Sequence, residues 1–280
     1  MVGSRIDYPD LATEAARMVM LELVRILGEY KDSMAIVGGW VPELLFANAQ
    51  PKHIGSIDVD IALDHRTIDA DVYRTIREHL ARHGYEEGPQ PFIFFRTVTV
   101  GSQTVKVQVD FLAGEYQGSG KSHRHQTVQT LKARKARGSD LVFKMSEQVK
   151  IEGHLPSGAA DSAMVKVAGI VPFIVMKAMA LADRLKAKDA WDLWFCLTNF
   201  AGGNAALTLA FQPHVHNKLV QEALTKIADK FKSPGHFGPQ AVADFDDLPP
   251  GDDRDLRIRD AYERVDDLLQ RLKAYSRPSQ

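Results

Sequence analysis

Residues 34–40 read MAIVGGW and residues 56–63 read SIDVDIAL. The first stretch is a short apolar run that ends at two glycines, so it predicts a buried strand followed by a tight turn. The second stretch alternates between large apolar residues and small or acidic ones, so it predicts a strand with one apolar face. The other face of that strand carries Ser56, Asp58 and Asp60. A sheet that contains these two strands is the expected centre of the fold.

The remaining helices and strands are predicted from hydrophobic periodicity. Residues 172–198 are rich in helix-forming residues and predict one long helix. A helix that is broken within this range is the alternative. The Pro- and Gly-rich residues 233–253 predict a loop or linker. The other predicted helices are 11–27, 40–48, 67–84, 217–231 and 255–275, and the other predicted strands are 92–98, 104–112, 141–143, 149–151 and 165–167.

Length and composition predict an α/β (α+β) protein of two domains. The chain has 280 residues, 45% of them hydrophobic and 25% charged, which is typical of a protein with a sizeable buried core. The first domain, 1–170, is expected to contain a mixed sheet, and the second, 171–280, is expected to be mainly helical. The formal net charge of -1 excludes a general electrostatic attraction to nucleic acid, so local patches must carry any such role.

The predicted location of the protein is the cytoplasm. The single cysteine, Cys196, excludes a disulfide within the chain and a Cys-rich zinc site, and this fits a reducing compartment. The first twenty residues lack the apolar stretch of a signal peptide, and no run of about 18 apolar residues occurs. We therefore expect a soluble protein without a membrane partner.

The spacing of Asp58 and Asp60 predicts a metal site. Residues two apart in a strand point to the same side, with Cα atoms about 7 Å apart, so both carboxylates can bind one cation or a pair of cations. Magnesium prefers carboxylate oxygens together with substrate phosphates. The alternative is that the aspartates only solvate one face of the strand. Aspartate is disfavoured within strands, which favours the metal site.

Gly38, Gly39 and Asp110 extend this site. Glycines let the backbone approach phosphate oxygens, and a helix that begins directly after them adds its positive end. A tight turn without a ligand is the alternative. Asp110 closes the apolar strand VKVQVDF, residues 105–111, at a point where a neighbouring strand could bring it to the metals as a third carboxylate; the alternative is a strand-end aspartate that faces water. Three carboxylates would hold two magnesium ions, one at an acceptor hydroxyl and one at a triphosphate.

These residues resemble a known family. The order of these residues is similar to the signature of the DNA polymerase beta type nucleotidyltransferase superfamily. That order is Gly38-Gly39, a spacer of about twenty residues, Asp58-x-Asp60 and the later strand aspartate Asp110. Residues 177–193, KAMALADRLKAKDAWDL, are similar to the Lys…Arg…Arg/Lys-Asp-x-x-Asp-Leu motif of AbiEii-type toxins. The resemblance covers residues 34–112 and 172–194.

The resemblance implies a nucleotidyltransferase fold over 1–170, with the helical domain 171–280 completing a cleft for the nucleotide. On one continuous helix, positions 177, 184, 188 and 192 would form a polar stripe. A solvated helix face with ion pairs is the alternative interpretation of that stripe. Lys188 stands where the family often has arginine. The expected catalytic residues are Asp58, Asp60, Lys177 and Asp192; the expected metal ligands are Asp58, Asp60 and Asp110; the expected nucleotide-binding residues are Gly38, Gly39, Ser56, Lys177, Arg184 and Lys188.

The stretch from Gly114 to Gly138 is locally basic. Its residues 118–122, GSGKS, end like a phosphate-binding loop, but the glycine that such a loop needs five residues before Gly120 is replaced by Glu115. A flexible loop that touches substrate through Lys121 and Arg124 is the preferred interpretation. The basic residues of 132–137 are interpreted either as contacts to RNA phosphates or as solvated surface.

Three functions follow from these observations and from the resemblance. The first is a toxin of a toxin–antitoxin pair that uses Mg2+ to transfer a nucleotide from a nucleoside triphosphate to RNA, with the 3′ end of tRNA as the expected acceptor and an antitoxin as a possible partner. The second is a nucleotidyltransferase for an aminoglycoside-like antibiotic, which would need an acidic acceptor pocket. The third is a nucleotide-binding module without catalysis, which would bind triphosphate without magnesium dependence.

Overall fold

The computed structural model describes residues 3–64, 66–68, 70–90, 92–113, 125–128, 131–135 and 137–275. Its helices are α1 (Asp10–Ile26), α2 (Val41–Leu45), α3 (Ala70–Arg82), α4 (Ser139–Val142), α5 (Ile170–Arg184), α6 (Ala187–Asn199), α7 (Gly203–Phe211), α8 (Lys218–Lys230), α9 (Phe237–Phe245) and α10 (Asp252–Tyr275). Its strands are β1 (Met34–Val37), β2 (Asp58–Leu63), β3 (Tyr85–Glu87), β4 (Ile93–Val100), β5 (Gln103–Ala113), β6 (His125–Val128), β7 (Leu131–Lys135), β8 (Ser146–His154) and β9 (Ala160–Ala168).

The strands form one mixed sheet, which confirms the predicted α+β class. Seven strands follow the order β3-β4-β5-β2-β1-β9-β8 in the part of the chain that the structure describes, while β7 pairs with β5 and β6 with β7. The central pairs are β2 with β5 and β1 with β9, both parallel, and β1 with β2, which is antiparallel. The apolar run before Gly38 and the alternating stretch that carries Asp58 and Asp60 are thus adjacent strands, β1 and β2, at the middle of the sheet.

Helix α1 covers the apolar face of β2. Glu22 of this helix accepts hydrogen bonds from Arg96 on β4, and Arg96 pairs in register with Val107 on β5. Val107 lies on the same face of β5 as Val109, which pairs with Val59 of β2. The aspartates of β2 therefore point to the face opposite α1.

Contacts divide the chain into two compact units. Residues 8–45 and 54–172 form the unit that contains the sheet, and residues 1–7, 46–53 and 173–280 form the helical unit. Segment 46–53 therefore has its contacts in the helical unit, although it lies in the sequence between α2 and β2. The assignment of 1–170 and 171–280 as functional domains stays a prediction.

Several predicted elements differ from the observed ones. The helix predicted at 172–198 takes the broken form that the prediction allowed, because Leu185 adopts a left-handed backbone (φ 49°) and Lys186 is extended before α6 begins. The strand predicted at 141–143 is wrong, since this segment belongs to α4 and the turn after it. The loop predicted at 233–253 contains α9, whose Val242 and Phe245 are fully buried. Pro239 lies in the first turn of that helix, where proline is tolerated.

None of the described helices is both long and apolar enough to cross a membrane.

Replacing Phe111 by alanine should destabilise the sheet unit by about 3–5 kcal/mol, because this fully buried ring packs edge-on against Phe94 and its removal leaves a cavity. Urea unfolding followed by circular dichroism measures the change. Met164→Ala in the same unit is the control, since Met164 is exposed and its loss should change the free energy of unfolding by less than about 0.5 kcal/mol. Equal effects of both substitutions would contradict this placement of the core.

Candidate active site

The register between β2 and β5 places acidic side chains together on one face of the sheet. Asp60 pairs with Asp110, and Asp58 pairs with Gln108, in a parallel ladder. Neighbours in register on adjacent strands point to the same side, with strands about 4.8 Å apart. The structure therefore brings Asp58, Asp60 and Asp110 onto one patch, which we call the carboxylate patch.

Two side chains orient the carboxylates of this patch. The buried Ser56 hydroxyl donates a hydrogen bond to Oδ1 of Asp58, and Gln108 Nε2 donates to Oδ1 of Asp110 at 2.9 Å. Trp40 Nε1 also donates to the backbone carbonyl of Asp58 at 2.8 Å, which ties the turn after β1 to the start of β2. Ser56, predicted to bind nucleotide, is thus in contact with a predicted metal ligand.

Gly38 has a role that the sequence did not reveal. It begins the 3-10 turn Gly38–Trp40 with φ at 70°, a conformation that side-chain-bearing residues rarely adopt. A Cβ atom on Gly38 would lie 1.9 Å from Oδ2 of Asp60. The absence of a side chain at position 38 is therefore required for the observed placement of the Asp60 carboxylate.

The carboxylate patch has the donor chemistry that a hard divalent cation needs. Its oxygen ligands on adjacent strands match the preference of magnesium for carboxylates. No group of three or more His, Cys, Asp or Glu side chains within the described ranges is arranged to hold a metal ion. The predicted ligand set Asp58, Asp60 and Asp110 accordingly rests on shared face and register, and it stays a proposal.

A second cluster of charged residues lies in the helical unit, at the break between α5 and α6. Lys177 Nζ contacts Oδ1 of Asp189 at 2.9 Å and Oδ2 of Asp192 at 2.6 Å. Lys188 Nζ contacts both oxygens of Asp192, at 2.9 and 3.1 Å. Arg184 binds Asp189 through two hydrogen bonds, at 2.7 and 2.8 Å. We call these five residues the lysine–aspartate cluster.

The lysine–aspartate cluster is buried rather than solvated. Lys177, Lys188, Asp189 and Asp192 are all buried, whereas the side chain of Arg184 is 41% exposed. This excludes the alternative of a solvated helix face. The predicted stripe on one continuous helix is wrong in geometry, because the helix breaks at Leu185, but the break still brings the four predicted residues into one ion-pair network with Asp189.

His53 joins this cluster from a distant part of the sequence. Its Nε2 lies 2.9 Å from Oδ1 of Asp192, and both side chains are fully buried. The imidazole packs against the rings of Trp191 and Phe195, with centroids 5.1 and 4.9 Å away. Sequence reasoning missed His53, because 139 residues separate it from Asp192 and no motif links the two.

Burial and the neighbouring charges set the ionisation of the cluster. Burial lowers the pKa of His53 to about 4, although Asp192 acts in the opposite direction. Burial would raise the pKa of Asp192, but Lys177 and Lys188 outweigh it and hold that pKa well below its usual range. Burial likewise opposes the charge of Lys177, yet Asp189 and Asp192 raise its pKa. A neutral imidazole beside an ionised carboxylate must donate its proton, so His53 donates from Nε2 to Asp192.

Only parts of the basic stretch fall within the described residues. Lys121 and Arg124, predicted to touch substrate, lie outside the described residues. The segment 131–135 forms β7, but the positions of its side chains are likewise outside what the structure describes. Contacts of this stretch to RNA therefore stay a prediction.

Comparison with protein families identifies the class. The family described as nucleotidyl transferase AbiEii toxin, type IV toxin–antitoxin system, matches residues 52–271. The chain is therefore a nucleotidyltransferase, and it belongs to the AbiEii family. Such a family implies a nucleoside triphosphate substrate and a cognate antitoxin, and nucleotidyltransferases generally use divalent metals.

Other comparisons add little to this assignment. A crystal structure of a protein from H. pylori assigned as a nucleotidyltransferase is similar over 93% of this chain and 98% of that chain, with 14% sequence identity and a TM-score of 0.42. No curated protein matches the chain.

Replacing Gly38 by alanine should reduce nucleotidyl transfer by about 100-fold or more, because the new Cβ would displace the carboxylate of Asp60. The control is Gly101→Ala, since Gly101 also has a positive φ (59°), but a methyl group there would meet no atom of the described residues within 4 Å. Both variants should be destabilised by about 1–2 kcal/mol through backbone strain, and only Gly38→Ala should lose activity. Steady-state kinetics and urea unfolding measure the two effects, and full activity of Gly38→Ala would contradict the assignment.

Stability should rise with pH between about 4 and 6.5 because of His53. In this window an unfolded histidine binds a proton, whereas the folded His53, with its lowered pKa, does not. The free energy of unfolding should therefore increase by up to about 1.4 kcal/mol per pH unit, or about 3 kcal/mol in all. Urea unfolding at a series of pH values measures the slope. His53→Gln should lower this slope by about 1.4 kcal/mol per pH unit, the contribution of one proton. An unchanged slope in that variant would refute the lowered pKa of His53.

Proposed function

We propose that this protein is a magnesium-dependent toxin of the cytoplasm that transfers a nucleoside monophosphate from a nucleoside triphosphate to the 3′ end of an RNA, with tRNA as the acceptor. The acceptor hydroxyl attacks the α-phosphorus and gives up its proton to solvent, the bond from that phosphorus to the bridging oxygen breaks, and pyrophosphate leaves. The observation that carries the proposal is the in-register pairing of Asp60 with Asp110 within a chain that belongs to the AbiEii family.

The carboxylate patch supports the metal part of the proposal. Asp58, Asp60 and Asp110 would hold magnesium, which when bound lowers the pKa of the acceptor hydroxyl and neutralises charge on the phosphates. Ser56 keeps one oxygen of Asp58 in place, and Gln108 does the same for Asp110. Gly38 leaves the space that the Asp60 carboxylate occupies, and Gly38 and Gly39 would also offer backbone N–H groups to phosphate oxygens.

The lysine–aspartate cluster supports the part of the proposal that concerns nucleotide binding. Arg184 is its exposed member, and a guanidinium recognises phosphate oxygens as a planar fork. Lys177 and Lys188 are buried behind it and share the carboxylates of Asp189 and Asp192. We propose that Arg184 meets the triphosphate first and that Lys177, with Asp192, acts in catalysis. The family match from 52 to 271 includes both the patch and the cluster.

The RNA acceptor rests on the family and on charge. The family description names a toxin of a toxin–antitoxin system, and the sequence from 114 to 138 is basic. A toxin that modifies tRNA would need such a patch for phosphate contacts. The antibiotic-modifying and non-catalytic alternatives have no specific observation in their favour, and they are outcomes of the experiment below.

The test is to incubate the purified protein with magnesium, total cell extract and each α-labelled nucleoside triphosphate in turn. The protein should transfer label to the RNA fraction, and to tRNA within it. Chelation by EDTA should abolish transfer and added magnesium should restore it. Asp58→Ala should reduce the rate by at least about 1,000-fold, because a metal ligand is lost. Gel separation and scintillation counting measure the transfer.

Asp32→Asn is the matched control, since Asp32 lies in the same unit with an 80% exposed side chain and should retain full activity. Label in small molecules instead of RNA would replace the RNA acceptor by the antibiotic-type alternative. Full activity of Asp58→Ala would overturn the metal assignment. Triphosphate binding without transfer and without magnesium dependence would establish the non-catalytic alternative.

A further inference from the structure

A chain of contacts runs from a fully buried imidazole to an exposed guanidinium within the helical unit. His53 contacts Asp192 at 2.9 Å, Asp192 contacts Lys177 at 2.6 Å, and Lys177 contacts Asp189 at 2.9 Å. Asp189 is bound in turn by Arg184 at 2.7 Å. Every member except Arg184 is buried, so the inner members can move only if their neighbours move with them.

We propose that His53 is a positioning residue for the transfer reaction, whose imidazole fixes the Asp192 carboxylate and, through it, the ammonium group of Lys177. The proposal rests on the proposed function, because it takes Lys177 and Asp192 as the residues that act in catalysis. His53 itself is not assigned any contact with substrate.

The surroundings of His53 argue for a specific role of its polar atom. The ring packs against both Trp191 and Phe195, a setting in which phenylalanine would bury its apolar surface equally well. Burying an imidazole there is favourable only when its N–H group is hydrogen-bonded. Asp192 supplies an acceptor for Nε2, so this hydrogen bond distinguishes histidine from an apolar ring at this position.

The neutral state of the His53 imidazole also affects how Asp192 pairs with the two lysines. Asp192 already pairs with Lys177 and Lys188, and a third cation beside it would weaken the hold of Asp192 on each lysine. A neutral donor fixes Oδ1 of the carboxylate without competing for its charge. The imidazole therefore restrains where Asp192 points without adding a charge beside Lys177, whose ammonium group is held in its charged form by Asp189 and Asp192.

A displacement of catalytic groups by about 1 Å can lower a rate by about 100-fold, which sets the expected effect. His53→Phe keeps the ring and removes the donor, so kcat should fall by about 10-fold to 100-fold while KM for the triphosphate changes by less than about 3-fold. His53→Gln keeps an Nε2–H donor and should restore kcat to within about 5-fold of the parent protein. Phe46→Leu is the packing control, because Phe46 packs edge-on against the same Phe195 ring; it should lower stability and leave kcat unchanged.

A second measurement separates the positioning role from the proposed function. Long-range 1H–15N NMR of the parent protein should show the His53 ring as the neutral Nε2–H tautomer at pH 7, and Asp192→Asn should shift its nitrogen resonances. The proposal would be overturned if folded His53→Phe had the kcat of the parent protein, or if His53→Gln were as slow as His53→Phe. An Nδ1–H tautomer of His53 would also overturn it. Absence of transfer by the parent protein under all conditions would instead defeat the proposed function while the tautomer result still decides the contact.

Discussion

The parallel register between β2 and β5 determines where every acidic side chain of the carboxylate patch lies. A shift by one residue would turn Asp58 and Asp60 towards α1, since side chains alternate along a strand. The apolar residues of the same strands prevent such a shift, because Val59 and Val109 are fully buried on the face that α1 covers. The burial of one face thus fixes the chemistry of the other, and the hydrophobic core and the candidate metal site are two consequences of one pairing.

The lysine–aspartate cluster depends on a different physical principle. Removing several charges from water is unfavourable unless each finds partners, and breaking a buried pair costs about 3–5 kcal/mol because the remaining charge is stranded. Here the cations Lys177 and Lys188 share the carboxylate of Asp192, and His53 adds a neutral donor to it. The cluster is therefore rigid in its interior and accessible only at Arg184. Rigid placement of cations is what binding and reaction of a triphosphate require.

Much of the sheet could be predicted from the sequence, because strict alternation at 56–63 and the apolar run at 34–37 are local signals. The contacts that form the carboxylate patch and the lysine–aspartate cluster were harder to predict from the sequence. The sequence predicts that Gly38 lets the backbone approach phosphate. The structure shows instead that position 38 must be glycine because the Asp60 carboxylate occupies the space of a side chain there. His53 could not be found, since it meets Asp192 only through tertiary folding. The break at Leu185 has no clear signal, because a left-handed leucine has no sequence signature, and α9 was missed because its prolines and glycines resemble those of a loop.

If the carboxylate patch binds divalent cations for catalysis, the protein should bind Mn2+ in the presence of a non-hydrolysable triphosphate analogue. Electron paramagnetic resonance should show two bound ions per chain, and Asp110→Asn should weaken the binding by about 10-fold or more, because a carboxylate ligand becomes a neutral amide. Asp32→Asn, a change to an exposed carboxylate in the same unit, should bind like the parent protein. Equal Mn2+ affinity of the parent protein and Asp110→Asn, or no bound ion in either, would contradict the account.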